Sequence, residues 1–154
     1  MKLTDFLSPD SIDLDLKAET KDQVLQRLVS LLPISEKTWD TLVKMLRKRE
    51  RLGSTGIGKG VAIPHGRSLL INRLMLAFAR SKEGINFDSV DGQPANIFFL
   101  IMAPPLEVSN LYLPTLGKIA QIAREKENRD QLTAVETPEE LIKVLERLDS
   151  KSRT

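Results

Sequence analysis

Apolar and polar positions alternate in "SIDLDLKA", with Ile12, Leu14 and Leu16 set against Asp13, Asp15 and Lys17. A period of two predicts a half-buried strand. The period then lengthens. In "ETKDQVLQRLVSLLP", Val24, Leu25, Leu28, Val29 and Leu32 share one face of a helix. Thr20 caps that helix with Gln23 three residues on, and Pro33 ends it. Ser35 caps the next helix, with Trp39, Leu42, Val43 and Leu46 facing inward and Lys44, Arg47, Lys48 and Arg51 facing out. Gly53 is its expected stop.

Three apolar runs follow. "VAI" is a short strand stopped by Pro64, and "NRLMLAFARS" is a second strand. "ANIFFLIMAPP" is the most apolar, so it should lie centrally with both faces covered. "INFDSVDGQP" between them carries the Asp-Gly and Pro of a turn region. The remainder reads as helical. "LYLPTLGKIAQIAREK" places Leu113, Leu116, Ile119, Ala120 and Ala123 at helical spacing, and "NRDQLTAV" forms a short helix. In "TPEELIKVLERLDS", Thr137 is the cap, Pro138 the first helical residue and Glu140 the partner in a capping box. "KSRT", residues 151–154, is a polar tail. This order predicts one α/β domain over residues 1–150, a mixed β-sheet flanked by helices on both faces.

Composition narrows the class. A chain of 154 residues is long enough for one domain with a real core. Hydrophobic content of 41% and charged content of 29% are ordinary for a soluble protein. The absence of cysteine excludes disulfide and thiolate chemistry and fits a reducing compartment. The longest apolar run, "IFFLIMA", is far too short to span a bilayer. Acidic residues interrupt the first turns of the chain, where a signal peptide needs a continuous apolar stretch. The expectation is a cytoplasmic protein with no membrane insertion. "KMLRKRER", residues 44–51, holds five cations and one acid but no interleaved aromatics, so no nucleic-acid partner is expected. It is either a solvated helix face or a positive rim for docking an acidic surface.

The candidate chemistry sits in "RERLGSTGIGKGVAIPHGR", residues 49–67. "GSTGIGKG" is close to a phosphate-cradling P-loop. Such a loop needs a strand leading in, a helix leading out and Ser or Thr after the lysine for Mg²⁺. Here Gly60 follows Lys59, a charged helix leads in and an apolar strand leads out. The context argues against nucleotide binding. His65 is the only histidine, placed between Pro64 and Gly66 just past a strand. An imidazole is largely neutral near pH 7 and can serve as a nucleophile without a strong base. One histidine makes neither a triad nor a metal site. Its residue context alone leaves two readings open, a nucleophile and a ring that packs or caps a loop.

The fixed positions Glu50, Ile57, Gly58, Val61, Ala62, Ile63, Pro64, His65 and Gly66 spell E-x6-I-G-x2-V-A-I-P-H-G. This pattern resembles the signature of the fructose/mannitol-type Enzyme IIA domains of the bacterial phosphoenolpyruvate-dependent phosphotransferase system. "INFDSVDGQPANIFFLIMAP" is similar to the family's later turn and central strand, and the resemblance covers nearly the whole chain. "LGSTGIGKGVAIPHGR" looks most like the nitrogen-regulatory branch. The resemblance implies that His65 accepts a phosphoryl group from a phospho-histidine carrier protein, and that Arg49 steadies the charged oxygens. It implies no cofactor, and a phosphotransferase component rather than a free-standing turnover enzyme. Downstream stands a IIB domain in the sugar branch or regulatory target proteins in the nitrogen branch. A chain of one domain's length agrees with the latter. Backbone N–H groups of the glycine loop, Gly66 among them, and the hydroxyl of Ser54 or Thr55 could meet phosphoryl oxygens. Ser54 and Thr55 read equally well as turn residues.

One departure stands out. Members of this family commonly carry a second histidine in a pattern like "HLxxL", where this chain has "NLYLPTL" with Tyr112 in the matching place. A phenol can hydrogen-bond a phosphate but carries no positive charge. The other reading of Tyr112 is a partly buried aromatic at a helix start.

Overall fold

The computed structural model describes residues 2–106 and 110–152. Two short 3-10 turns, Leu3–Phe6 and Pro9–Ser11, lead into β1 (Ile12–Asp13). Then come α1 (Lys21–Ser30), a 3-10 turn at Glu36–Thr38 and α2 (Trp39–Leu52). Four strands follow, β2 (Gly56–Gly58), β3 (Val61–Ala62), β4 (His65–Arg67) and the long β5 (Met75–Ile85). The chain closes with β6 (Ala95–Ala103), α3 (Tyr112–Arg124), α4 (Lys126–Ala134) and α5 (Pro138–Ser152). The helix starts obey the expected chemistry. Thr20 Oγ1 accepts from Gln23 N–H at 3.2 Å, and Thr137 Oγ1 accepts from Glu140 N–H at 3.1 Å. Gln23 reaches back to Glu19 N–H at 2.7 Å, and Glu140 to Glu136 N–H at 3.1 Å.

The sheet runs β1-β5-β6-β3-β2, with β4 also paired to β6. β5 and β6 are antiparallel, as are β2 and β3, while β1/β5, β3/β6 and β4/β6 are parallel. β6 is therefore central, as its apolar run requires. Its side chains alternate between two cores. Ile97, Phe99 and Ile101 pack with α3, α4 and α5, and Phe98, Leu100 and Met102 pack with α1 and α2. Fully burying side chains of this size stabilises by about 1.5–3 kcal/mol each.

Several local expectations need correction. The alternating run at residues 12–16 forms only a two-residue strand, because beyond Asp13 only Leu16 N–H rejoins the sheet, bonding Arg80 C=O at 2.9 Å. Trp39 is half-buried, at the rim of its core. Leu113 does not face inward: it is 64% exposed, and the buried face of α3 is Tyr112, Thr115, Ile119, Ile122 and Ala123. The helix is rotated so that the ring of Tyr112, not Leu113, fills the core. Of the expected polar tail, Lys151 and Ser152 continue α5, and residues 153 and 154 lie outside the described residues. No helix among the described residues is long and apolar enough to cross a membrane.

Candidate functional site

β3 and β4 are one strand interrupted by Ile63 and Pro64. Both pieces run parallel to β6, Val61 opposite Ile97 and His65 opposite Ile101. Pro64 cannot donate to the ladder but accepts through its carbonyl from Ile101 N–H at 3.1 Å. The break lets the His65 ring turn back on its own backbone. Nδ1 lies 2.7 Å from Ile63 C=O. A carbonyl oxygen only accepts, so Nδ1 carries the proton and donates it. Nε2 is left with the lone pair.

Around His65 is an open hollow of about 410 Å³. Met45, Arg49, Gly66, Arg67, Tyr112 and Leu113 contribute to its lining. Arg49 stands in the last turn of α2 and donates through Nη1 to Gly53 C=O at 2.8 Å, which holds the guanidinium at the helix end. Arg67 lies two residues after His65 on the same strand, so both side chains take the same side. Its Nη1 donates to Pro105 C=O at 3.1 Å, and its Cζ sits 4.4 Å from the centre of the Tyr112 ring. The Tyr112 and His65 rings are 6.2 Å apart between centres, tilted by 56°. Burial pushes the Tyr112 phenol above its ordinary range, opposed by the positive charges of Arg67 and then Arg49. The hollow thus gathers the His65 imidazole, two guanidiniums and the first turn of α3, whose dipole adds partial positive charge. A dianionic group would be well held there.

The structure sorts the sequence candidates. His65, Arg49, Gly66 and Tyr112 come together. Gly66 has a packing reason: a Cβ there would lie 2.8 Å from Met45 Cε, so the glycine lets β4 approach α2. Ser54 and Thr55 are not in the lining. Ser54 donates to Phe87 C=O at 2.6 Å and accepts from Gly56 N–H at 2.9 Å. The buried Thr55 gives its hydroxyl to Glu50. Both act on the turn itself. The basic helix face is divided, because Arg47 pairs with Asp22 at 2.6 Å while Arg49 opens on the hollow. Lys59 has φ 57° at an exposed corner, and no helix begins beside it.

Two residues escaped the sequence reading. Arg67 carried a weak signal, the spacing of two from His65 on a strand. Glu50 was only a motif position. Its carboxylate, 5% exposed, accepts from Thr55 N–H at 3.0 Å and from Lys21 Nζ at 3.0 Å. This latch ties the turn after α2 to α1, next to Arg49. Its partner is 29 positions away, from 21 to 50, and only the packing of α1 on α2 brings them together.

The chain is similar to known proteins along nearly its whole length. The family "Phosphoenolpyruvate-dependent sugar phosphotransferase system, EIIA 2" matches residues 5–148. A nitrogen regulatory protein of Bradyrhizobium diazoefficiens is 34% identical over 94% of this chain and 95% of its own. The fructose-specific EIIABC component of Bacillus subtilis is 32% identical over 97% of this chain, which spans only 24% of that longer relative. Among solved structures, the nitrogen regulatory protein IIA-Ntr of Neisseria meningitidis superposes with a TM-score of 0.84 at 31% identity, covering 92% of this chain and 97% of that one.

Proposed function

This chain belongs to the phosphoenolpyruvate-dependent sugar phosphotransferase system EIIA 2 family, and we propose that His65 is its phosphoryl acceptor, through Nε2. The carrying observation is the hydrogen bond from Nδ1 to Ile63 C=O, which aims the other nitrogen's lone pair at the hollow. The donor is a phospho-histidine carrier protein. In the transfer, the Nε2 lone pair bonds to phosphorus while the bond from phosphorus to the carrier's histidine nitrogen breaks. That bond pair returns to the carrier's ring. The proton stays on Nδ1, donated to Ile63 C=O, so the product ring remains protonated and keeps a strong tendency to give the group away. Arg49 and Arg67 meet the equatorial oxygens, where charge is spread in a loose transition state.

Within the family, the regulatory role is favoured. The match to the Bradyrhizobium nitrogen regulatory protein runs nearly end to end on both chains, and the Neisseria IIA-Ntr structure superposes more closely than the mannitol IIA structure of Escherichia coli, at TM-scores of 0.84 and 0.73. The phosphorylation state of His65 would then decide which target proteins bind. The match to a fructose-specific component supports the second reading, transfer onward to a IIB domain.

The test is incubation with phosphoenolpyruvate, Enzyme I and the carrier, followed by intact mass. A single acid-labile, base-stable phosphoryl adduct is expected, absent from His65→Ala. An adduct of equal extent on His65→Ala would overturn the assignment. Mixing the phosphorylated protein with fructose- or mannitol-type IIB domains separates the two roles, since a regulator should not transfer efficiently and complete transfer within seconds marks a sugar component.

A further inference from the structure

A second hollow, of about 380 Å³, opens at the other end of the central strand. His65 stands opposite Ile101 on β6, whereas this hollow is lined at Asn96 and Ile97, about 13 Å away along the strand at 3.3 Å per residue. Its volume lies within the roughly 300–1,000 Å³ that small-molecule sites occupy.

The charge around it is one-sided. Lys59, Arg80, Lys82 and Arg129 line it against one acid, Asp130. Asp130 is already held by Lys126 at 2.8 Å. Among the described residues, none of the four lining cations has a carboxylate partner. Arg80 is the telling one. It is 9% exposed, and a guanidinium is rarely that buried without an anion. Its Nε donates to Leu14 C=O at 3.2 Å, and its Nη1 donates to the carbonyls of Leu132, Thr133 and Val135 at the end of α4. Nη2 makes no hydrogen bond among the described residues. Arg129 repeats the arrangement. Its Nη1 donates to Ala123 and Arg124 C=O, at 2.8 Å each, at the end of α3. Both guanidiniums are tied to a helix end, which fixes their planes; among the described residues Arg80 has Nη2 left to offer and Arg129 has Nε and Nη2.

The rest of the hollow is rigid and polar. Lys59 N–H bonds Asp91 Oδ2 at 2.8 Å, and Gly60 C=O accepts from Asn96 and Ile97 N–H. The corner carrying the Lys59 side chain is thus pinned on both sides. The lining holds Asn96, Ser81 and Thr133 but no aromatic ring on which a nucleobase could stack. Asn96 Nδ2 donates to Ser81 C=O, while Oδ1 stays open among the described residues. The Ser81 hydroxyl oxygen accepts from Gly84 N–H and leaves its O–H to donate. Thr133 donates to Asp130 C=O and can still accept.

We propose that this hollow binds a small phosphorylated polyhydroxy compound, with Arg80 Nη2, the Nε and Nη2 side of Arg129 and two lysines on the phosphate, and with the Asn96 amide oxygen and the Ser81 and Thr133 hydroxyls on the body. No assigned role of this chain uses these residues, and the site is independent of His65.

Calorimetry on the purified protein at low salt tests it, with glucose 6-phosphate as probe and inorganic phosphate and glucose as controls. Glucose 6-phosphate should bind saturably, inorganic phosphate more weakly and in competition, and glucose not at all. The double variant Lys59→Glu, Lys82→Glu changes two exposed side chains and should weaken glucose 6-phosphate binding at least tenfold, with an unchanged melting temperature. His65→Ala should bind as wild type. No glucose 6-phosphate binding up to about 10 mM, where even weak sites fill, would overturn the proposal. So would binding that survives the double charge reversal, or binding lost in His65→Ala, which would place the phosphate in the other hollow.

Discussion

His65 and Ile63 are joined by a hydrogen bond of 2.7 Å from the ring to the backbone two residues back. It fixes one tautomer of a side chain whose reactivity depends on which nitrogen is free. Because His65 is the only histidine in the chain, nitrogen-labelled NMR should show a single imidazole with its proton on Nδ1. Phosphorylation should move the Nε2 resonance and leave the Nδ1 proton in place. A proton found on Nε2 in the free protein would remove the basis for that assignment.

The two arginines of the hollow should matter more than their neighbour. Arg49→Ala and Arg67→Ala each remove a charge-assisted hydrogen bond to the phosphoryl group, about 1.5–3 kcal/mol or roughly ten- to a hundredfold in rate. Arg47→Ala, whose guanidinium is taken by Asp22, should change the rate less than about twofold. Equal effects at 47 and 49 would mean that the basic face acts only as a diffuse field.

Tyr112 is the only tyrosine, so its titration can be followed by ultraviolet absorbance without interference. Burial should place its midpoint above the ordinary 10.0. Arg67→Ala should push it higher still, since the guanidinium on the ring favours the phenolate. The native state then holds a proton that the unfolded chain releases. Its stability contribution is full below the unfolded pKa and is lost as pH rises through the folded one. In phosphoryl transfer, Tyr112→Phe should cost at most a neutral hydrogen bond, about 0.5–1.5 kcal/mol or up to roughly tenfold. Tyr112→His should add a second titrating group to the rate profile between about pH 5 and 8. A silent Phe variant together with an unchanged profile for the His variant would place Tyr112 outside the chemistry.

The latch at Glu50 should be structural and large. Glu50→Ala strands Lys21, 19% exposed, without its main anion and frees Thr55. Urea unfolding should show a loss of about 3–5 kcal/mol, the usual effect of breaking a buried pair from one side. A loss below about 1 kcal/mol would show that Asp88, at 3.5 Å from Lys21, takes over.

Two glycines should respond in opposite directions. A Cβ at Gly56 would lie 2.9 Å from the Ser89 backbone, so Gly56→Ala should destabilise by about 1–3 kcal/mol. Gly117 lies in α3 with nothing within 4 Å of an added methyl. Gly117→Ala should stabilise by about 0.8–1 kcal/mol, read as a higher melting temperature.

The sequence by itself determined the helices with their caps, the central place of β6 and the position of the single histidine just past a strand. These rest on local rules: side-chain periodicity, the hydrogen-bonding of Thr20 and Thr137, and the motif around Pro64. Tertiary structure decided the rest. Leu113 and Tyr112 are adjacent on one helix, and either could have faced the core by periodicity. The burial of Thr115, Ile119, Ile122 and Ala123 on one face settled the rotation, which lays Tyr112 against Arg67, a strand residue 45 positions earlier, from 67 to 112. Ser54 and Thr55 look like phosphate ligands as a sequence, but their hydroxyls turn to Phe87 and Glu50 because a turn packed against two other segments must satisfy its polar groups before it can offer any to a ligand. The free nitrogen of His65 was likewise beyond the sequence, since it depends on where one backbone carbonyl points when a strand is broken at a proline.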